Sequence, residues 1–351
     1  MRVVSKFFFS CVAGSMLLLQ LAPAAQAALL VYEPFDYTAG AQLYDQGTMT
    51  GLNGGSGWAA AWTGRNGATT SVPAGTTSIQ AGSLLHPTQP GDLPNSGGHV
   101  RINGMTTGSV STEPTRAFTP YVAGKVAASS TLWYSFLAQR VGDAQDPPLV
   151  GTNPYPRGTN VSMFRGNATV AGATEALGIG NSSNHTTNTW SMVPNGAGGS
   201  TEGAYNPAGS TAGLAGAPET VGATPYPFEN LQWVVVRLNV DGTAANDSAY
   251  MWLSPNPLVE PSIASAQAAI LNTDTNSFNF DGIGSFRPFV GVQTNVPGNA
   301  AFRPAGGLLL DEVRIGTDYA AMSSTNVVPE PASIALLLLS GLAVVGLRRR
   351  S

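Results

Sequence analysis

Leu231 to Val240 reads LQWVVVRLNV, a ten-residue run of β-branched and apolar residues that ends on Asp241-Gly242. Ala249 to Leu253 follows at once and is stopped by Ser254-Pro255-Asn256-Pro257. Two such runs around an Asp-Gly turn predict an antiparallel hairpin. The same grammar of short apolar run and Gly/Pro punctuation fills the chain. Leu29–Tyr32, Ser78–Leu85, His99–Ile102, Val161–Phe164, Leu177–Asn181, Thr189–Val193 and Arg287–Val292 read as strands, with Val161–Phe164 and Leu177–Asn181 paired. Leu132–Ala138 is aromatic-rich and lacks Gly or Pro, which predicts a central strand. Gly307–Gly316 closes the series. Period-two alternation puts Leu309, Asp311, Val313 and Ile315 on one face and Leu308, Leu310, Glu312 and Arg314 on the other. Ile263–Leu271 is Ala-containing and reads as a short helix or helical turn. Asp143–Pro156 carries four prolines and reads as an exposed loop, and 181–227 as a long Gly/Ala/Thr/Asn-rich excursion. Many short strands without heptads or repeats predict an all-β sandwich of two antiparallel sheets, one domain over 28–322.

Four stretches carry a family likeness: the opening YEPFDY…NGGSGWAAAW (Tyr32 to Trp62), LGIGN (177–181), VVVRLNVDG…DSAYMWLSPNP, and the closing LLLDEVRIG. Together they resemble secreted proteins with a concanavalin-like, laminin-G-like jelly-roll domain. The resemblance implies a last strand that returns to pair beside the first. Trp58 and Trp62, four apart in a glycine-rich stretch, predict rings wedged against a sheet; an exposed pair would instead stack on a sugar.

The jelly-roll class includes glycoside hydrolases, so carboxylate pairs matter. Glycoside hydrolysis uses two carboxylates across a cleft. No single strand here carries an alternating Glu-x-Asp-x-Glu run, and Asp311 and Glu312 are adjacent, hence on opposite faces of a regular strand. The histidines His86, His99 and His185 lack metal-ligand spacing, and no nucleophile elbow or phosphate loop is present. Oxygen ligands for calcium are offered only by Asp241-Gly242-Thr243 with Asp247 and by Asp281-Gly282, whose spacing is not that of a calcium loop. The expectation is a non-enzymatic domain without a resident cofactor or metal, binding glycan such as exopolysaccharide or building structure. The alternative is a secreted hydrolase with an atypical carboxylate site.

The N-terminus is a targeting segment. Arg2 and Lys6 precede the apolar Phe7–Leu21, and Ala25-Gln26-Ala27 is an A-x-A site that predicts cleavage before Ala28. This implies the Sec translocon and signal peptidase as partners. Cys11, the one cysteine, lies inside the apolar core, so the mature chain has neither disulfide nor thiol nucleophile. Without its two terminal signals the chain keeps 11 basic and 19 acidic residues, net −8, with Lys125 the only lysine. Such a surface argues against nucleic acid, which needs clustered cations.

The C-terminus (323–351) has three parts. Val328-Pro329-Glu330-Pro331 is stiff and non-helical. Ala332–Leu347 is an uncharged, mostly apolar span of 16 residues, against about 20 for a typical membrane helix. Arg348-Arg349-Arg350 then holds the cytoplasmic side, leaving Pro329-Glu330-Pro331 outside. This tail resembles the PEP-CTERM sorting signal of Gram-negative bacteria. The resemblance implies transient insertion in the inner membrane, processing by an exosortase-type enzyme near the Pro-Glu-Pro, and delivery to the cell surface or extracellular matrix.

Overall fold

The computed structural model describes residues 29–68, 71–85, 93, 97–104, 112–118, 130–141, 159–169, 173–181, 190–194, 230–241, 247–271, 280, 282–291 and 307–323. The terminal signals, the loop 143–156 and most of the excursion 181–227 lie outside them. Among the described residues there are strands and short 3-10 turns but no α-helix.

The strands are β1 (Leu29–Glu33), β2 (Tyr44–Asp45), β3 (Thr50–Gly51), β4 (Thr63–Gly64), β5 (Thr77–Gln80), β6 (His99–Asn103), β7 (Pro114–Ala117) and β8 (Ser130–Val141). Then come β9 (Thr159–Arg165), β10 (Thr174–Asn181), β11 (Ser191–Pro194), β12 (Gln232–Val240), β13 (Ser248–Leu253), β14 (Ala268–Leu271), β15 (Ile283–Val290) and β16 (Gly307–Gly316). One eight-stranded sheet runs β14-β13-β12-β8-β16-β6-β5, with β1 also on β16; a six-stranded sheet runs β11-β10-β9-β15-β7-β4. All registered pairings are antiparallel. The molecule is an all-β sandwich of two antiparallel sheets, of jelly-roll type.

Its core lies between the sheets. Tyr134, Phe136, Val234, Val236 and Leu238 face Val161, Met163, Leu177, Ile179, Ile283 and Phe286 in one apolar cluster. A second cluster covers the outer face of the larger sheet: Trp133, Leu137, Trp233, Val235 and Trp252 pack under Tyr319, Ala321 and Met322 of the 3-10 turn Tyr319–Ser323. The central strands β8 and β12 are therefore buried on both faces. That is why both read as continuous apolar runs rather than as alternating patterns.

The expected pairs β12–β13 and β9–β10 form, β8 is central, and β1 returns beside the last strand. Three expectations are corrected. Only Ile263–Ser265 of Ile263–Leu271 is a 3-10 turn; Ala268–Leu271 is the edge strand β14 on β13, so sheet pairing overrides the local Ala content. β15 runs Ile283–Val290 rather than Arg287–Val292, its first half hidden in the sequence by Gly284 and Ser285. The third concerns β16, whose alternation does not run through. Leu308, Leu310, Val313 and Ile315 all belong to the inter-sheet core, while Leu309 packs on the outer cluster. A bulge between Asp311 and Arg314 flips the phase, with Glu312 in the left-handed region at φ 54°. The bulge falls where β16 changes partners on one side, from β6 (through Leu310) to β1 (from Val313).

Candidate functional site

The outer face of the six-stranded sheet gathers polar groups from four strands. β15 presents Ser285, Arg287 and Phe289; its neighbour β9 presents Phe164, Ser162 and Asn160 opposite them. β10, on the far side of β9, contributes Glu175. Glu113 stands just before β7, on the other side of β15. Four adjacent strands span roughly 14 Å at ~4.8 Å each, so the two glutamates approach from opposite flanks toward the middle.

Arg287 fills that middle. Its Nη1 donates to Glu113 Oε2 at 3.1 Å and its Nη2 to Glu175 Oε2 at 2.9 Å, and Nη2 also reaches Ser162 Oγ at 3.3 Å. Ser162 also bonds the second oxygen of Glu175 and sits 2.9 Å from Asn160 Oδ1. The guanidinium lies over Phe164 at 4.7 Å and Phe289 at 4.8 Å. Arg65 adds a further contact to Glu113 at 3.5 Å and covers Phe164 at 5.5 Å. The Arg287 side chain is only 2% exposed. Gly178 stands on the same face, where an added Cβ would sit 3.2 Å from Glu175 Oε1. The arrangement is two carboxylates locked on one guanidinium between aromatic rings.

None of Glu113, Glu175 and Arg287 was singled out from the sequence. A carboxylate pair sought along one strand is invisible when its members come from strands 62 residues apart with two other strands between them. The expected strand also began at Leu177, past the bulge that separates Glu175 from Leu177.

Trp58 and Trp62 are brought together, 5.8 Å apart, at a second polar cluster. Trp62 is 1% exposed, stacks on Phe35 at 6.1 Å and donates Nε1 to Glu33 Oε2 at 3.1 Å. As folded it offers no face to a sugar. Trp58 is partly buried against Phe118 and Phe286, and donates Nε1 to Tyr32 O. Arg116 reaches over both rings, pairs with Glu33, and bonds Asn53 Oδ1 and Ala60 O at 2.7 Å each. The phenol of Tyr37 completes the set at Glu33 Oε2. The opening motif is thus a buried polar hub. Burial pushes the Glu33 carboxyl up, opposed by Arg116, Trp62, Tyr37 and the Phe35 amide.

Asp311 and Glu312 are both buried at the β16 bulge. Asp311 accepts from Ser83 Oγ and from the amides of Leu84 and Glu312, yet burial outweighs these donors and, with the Glu312 charge, raises its carboxyl to about 8. Glu312 accepts from Tyr32 Oη at 3.0 Å and Arg314 Nη2 at 2.6 Å. Asp247 takes the Asp241 amide at 3.0 Å and the Phe280 amide at 2.6 Å, so both its oxygens face backbone N–H donors. No group of three metal-binding side chains occurs among the described residues. His99 is half-buried, with Nδ1 2.7 Å from Gly82 O; His86 and His185 lie outside the described residues. Ala25, Ala27, Ala28, Pro329, Glu330, Pro331, Arg348, Arg349 and Arg350 lie outside them too. Among the described residues no helix is long and apolar enough to cross a membrane.

Similar solved structures include an endo-1,3-β-glucanase from Streptomyces sioyaensis (12% identity, 84% of this chain, 98% of that one, TM-score 0.39). A GH131 β-glucanase catalytic domain from Podospora anserina is also similar (12% identity, 64% and 75%, TM-score 0.29). So is a structure concerning botulinum neurotoxin type C, whose cell entry depends on two ganglioside molecules (8% identity, 70% and 45%, TM-score 0.31). The chain thus spans under half the length of that toxin chain. No curated protein matches the sequence. Residues 327–350 match the family described as the PEP-CTERM protein-sorting motif. The chain ends in that sorting motif, which implies that the jelly-roll protein carrying it is exported.

Proposed function

We propose that this is an exported surface or matrix protein whose jelly-roll domain binds glycan, or builds structure with it, without hydrolysing it. The observation that supports this reading is the position of Arg287. A glycosidase needs one carboxyl to give a proton, a second to attack or to activate water, and room between them for the scissile bond. Here the space between Glu113 and Glu175 holds a guanidinium that bridges both and is itself clamped by Phe164 and Phe289. That pair of bridges leaves no room for a scissile bond between the two carboxylates. In this reading the tail inserts in the inner membrane, and an exosortase-type enzyme processes it near Pro329-Glu330-Pro331.

The second reading, a glycan hydrolase with an atypical site, has one observation in its favour: two glutamates on one sheet face, converging on one point. A glycan array combined with a reducing-end assay on the full chain separates the two. Binding without release of reducing ends is the expected result. Release that Glu175→Gln abolishes would establish the hydrolase instead.

A further inference from the structure

The loop between β13 and β14 exposes three aliphatic side chains within six residues. Leu258 is 77% exposed, Val259 61% and Ile263 43%. The loop is built rather than slack. Asn256 Oδ1 accepts the Leu258 amide at 2.9 Å, and the Asn256 carbonyl accepts the Val259 amide at 3.2 Å. Pro255, Pro257 and Pro261 restrict the backbone. Trp252 holds the far side through Ser262 O and Ser265 Oγ, and Glu260, the one charge of the loop, lies 3.5 Å from Arg237. The apolar tip is therefore pre-organised, with the Leu258 and Val259 amides satisfied and the Glu260 carboxylate turned toward Arg237 of the sheet.

The same Asn256 carbonyl accepts the phenol of Tyr319 at 2.6 Å. Tyr319 opens the 3-10 turn that ends at Ser323, so the chain leaves the domain beside this loop. The sorting motif begins at residue 327. The apolar run starts at Ala332, nine residues past Ser323. Nine extended residues reach at most ~32 Å, so whatever receives the run 332–347 is tethered within about one domain diameter of Leu258.

We infer that Leu258, Val259 and Ile263 form a lipid-docking tip that seats the domain on the bilayer into which the tail inserts. The inference rests on the membrane-inserted tail proposed above. A tethered site meets its partner at millimolar effective concentration, so three aliphatic side chains suffice where a free domain would need a larger apolar face. Among the described residues the loop 255–265 offers aliphatic carbon and no Lys or Arg, which suits acyl chains of a neutral bilayer rather than an anionic headgroup or an acidic protein partner.

The test uses the full, unprocessed chain recovered from membranes of a host without an exosortase-type enzyme, with Cys11→Ser and one new cysteine carrying an environment-sensitive fluorophore. It is reconstituted in phosphatidylcholine vesicles bearing spin-labelled acyl chains. Leu258→Cys reports the tip. Met49→Cys, 65% exposed on the β2–β3 hairpin, is the reference for an exposed apolar site. Ser340→Cys, inside the apolar run, reports the tail. Docking predicts quenching at 340 and quenching at 258 at least about twofold above that at 49, reduced to the level of 49 when Val259→Asp and Ile263→Asp are added. Quenching at 340 with equal values at 258 and 49 overturns the docking tip alone. Absence of quenching at 340 overturns the inserted tail, and the docking tip with it.

Discussion

Arg116 closes on the carboxylate of Glu33 with both side chains almost wholly buried. The pair ties β1 to the strand 83 residues later and collects Trp62, Tyr37 and Asn53 on the way. A buried ion pair is costly to break from one side, because the remaining charge stays in the core. Glu33→Gln is expected to lower unfolding free energy by about 3–5 kcal/mol. Adding Arg116→Met to it recovers part of that loss. Denaturant midpoints for the two single variants and the double variant measure both effects.

The pH dependence of stability is set in part by Asp311. Its carboxyl is raised to about 8, so the folded state holds the proton more tightly than the unfolded chain does. The contribution is fully present below the unfolded value near 4 and is lost as pH rises toward 8, at up to about 1.4 kcal/mol per pH unit. Asp311→Asn removes the titration. Its midpoint should change less between pH 5 and pH 8 than that of the wild type; equal slopes would assign the titration elsewhere.

Arg287 should be a large single contributor to the six-stranded sheet. Arg287→Ala leaves Glu113 and Glu175 facing each other largely shielded from water, with an expected loss of about 3–5 kcal/mol. Arg287→Lys recovers little of it, since one ammonium cannot reproduce the forked contact to two carboxylates. Thermal unfolding of the two variants checks this ranking.

The glycine run of the opening motif has a steric cause at Gly57. Its φ is +77°, and an added Cβ would lie 1.9 Å from Leu30 O. Gly57→Ala is expected to cost more than about 1 kcal/mol and to loosen the β1 edge. Faster hydrogen exchange at Val31 and Tyr32 than in wild type would show it.

Processing at the tail is testable in cells. Mass spectrometry of the surface-exposed protein should find a C-terminus near Pro329-Glu330-Pro331. Recovery of an intact Arg348-Arg349-Arg350 on that protein would refute processing.

Much of the sandwich is legible in the sequence because its signals are local. Asp241-Gly242 between two apolar runs specifies the β12–β13 hairpin, and the apolar density of Leu132–Ala138 specifies a central strand. What is not legible depends on partners far along the chain. The phase of β16 flips at Asp311–Glu312 because β6 ends there and β1 begins. β14 is a strand only because β13 offers it an edge. Glu113, Glu175 and Arg287 form a site only after β9 and β15 are laid side by side. Glu33 stood in the quoted opening motif, but its partner Arg116 had no signal in the short PTRA run of β7.

The placement of β16 also bears on the order in which the domain can close. β16 lies between β8 and β6, and β1 pairs with it too, Leu29 opposite Gly316. The larger sheet therefore stays divided until nearly all of the domain has been delivered, and its first strand waits for its last. Sequence-distant pairing of this kind closes slowly. The topology itself therefore holds back closure of the larger sheet until Gly307–Gly316, the last strand of the domain, is available.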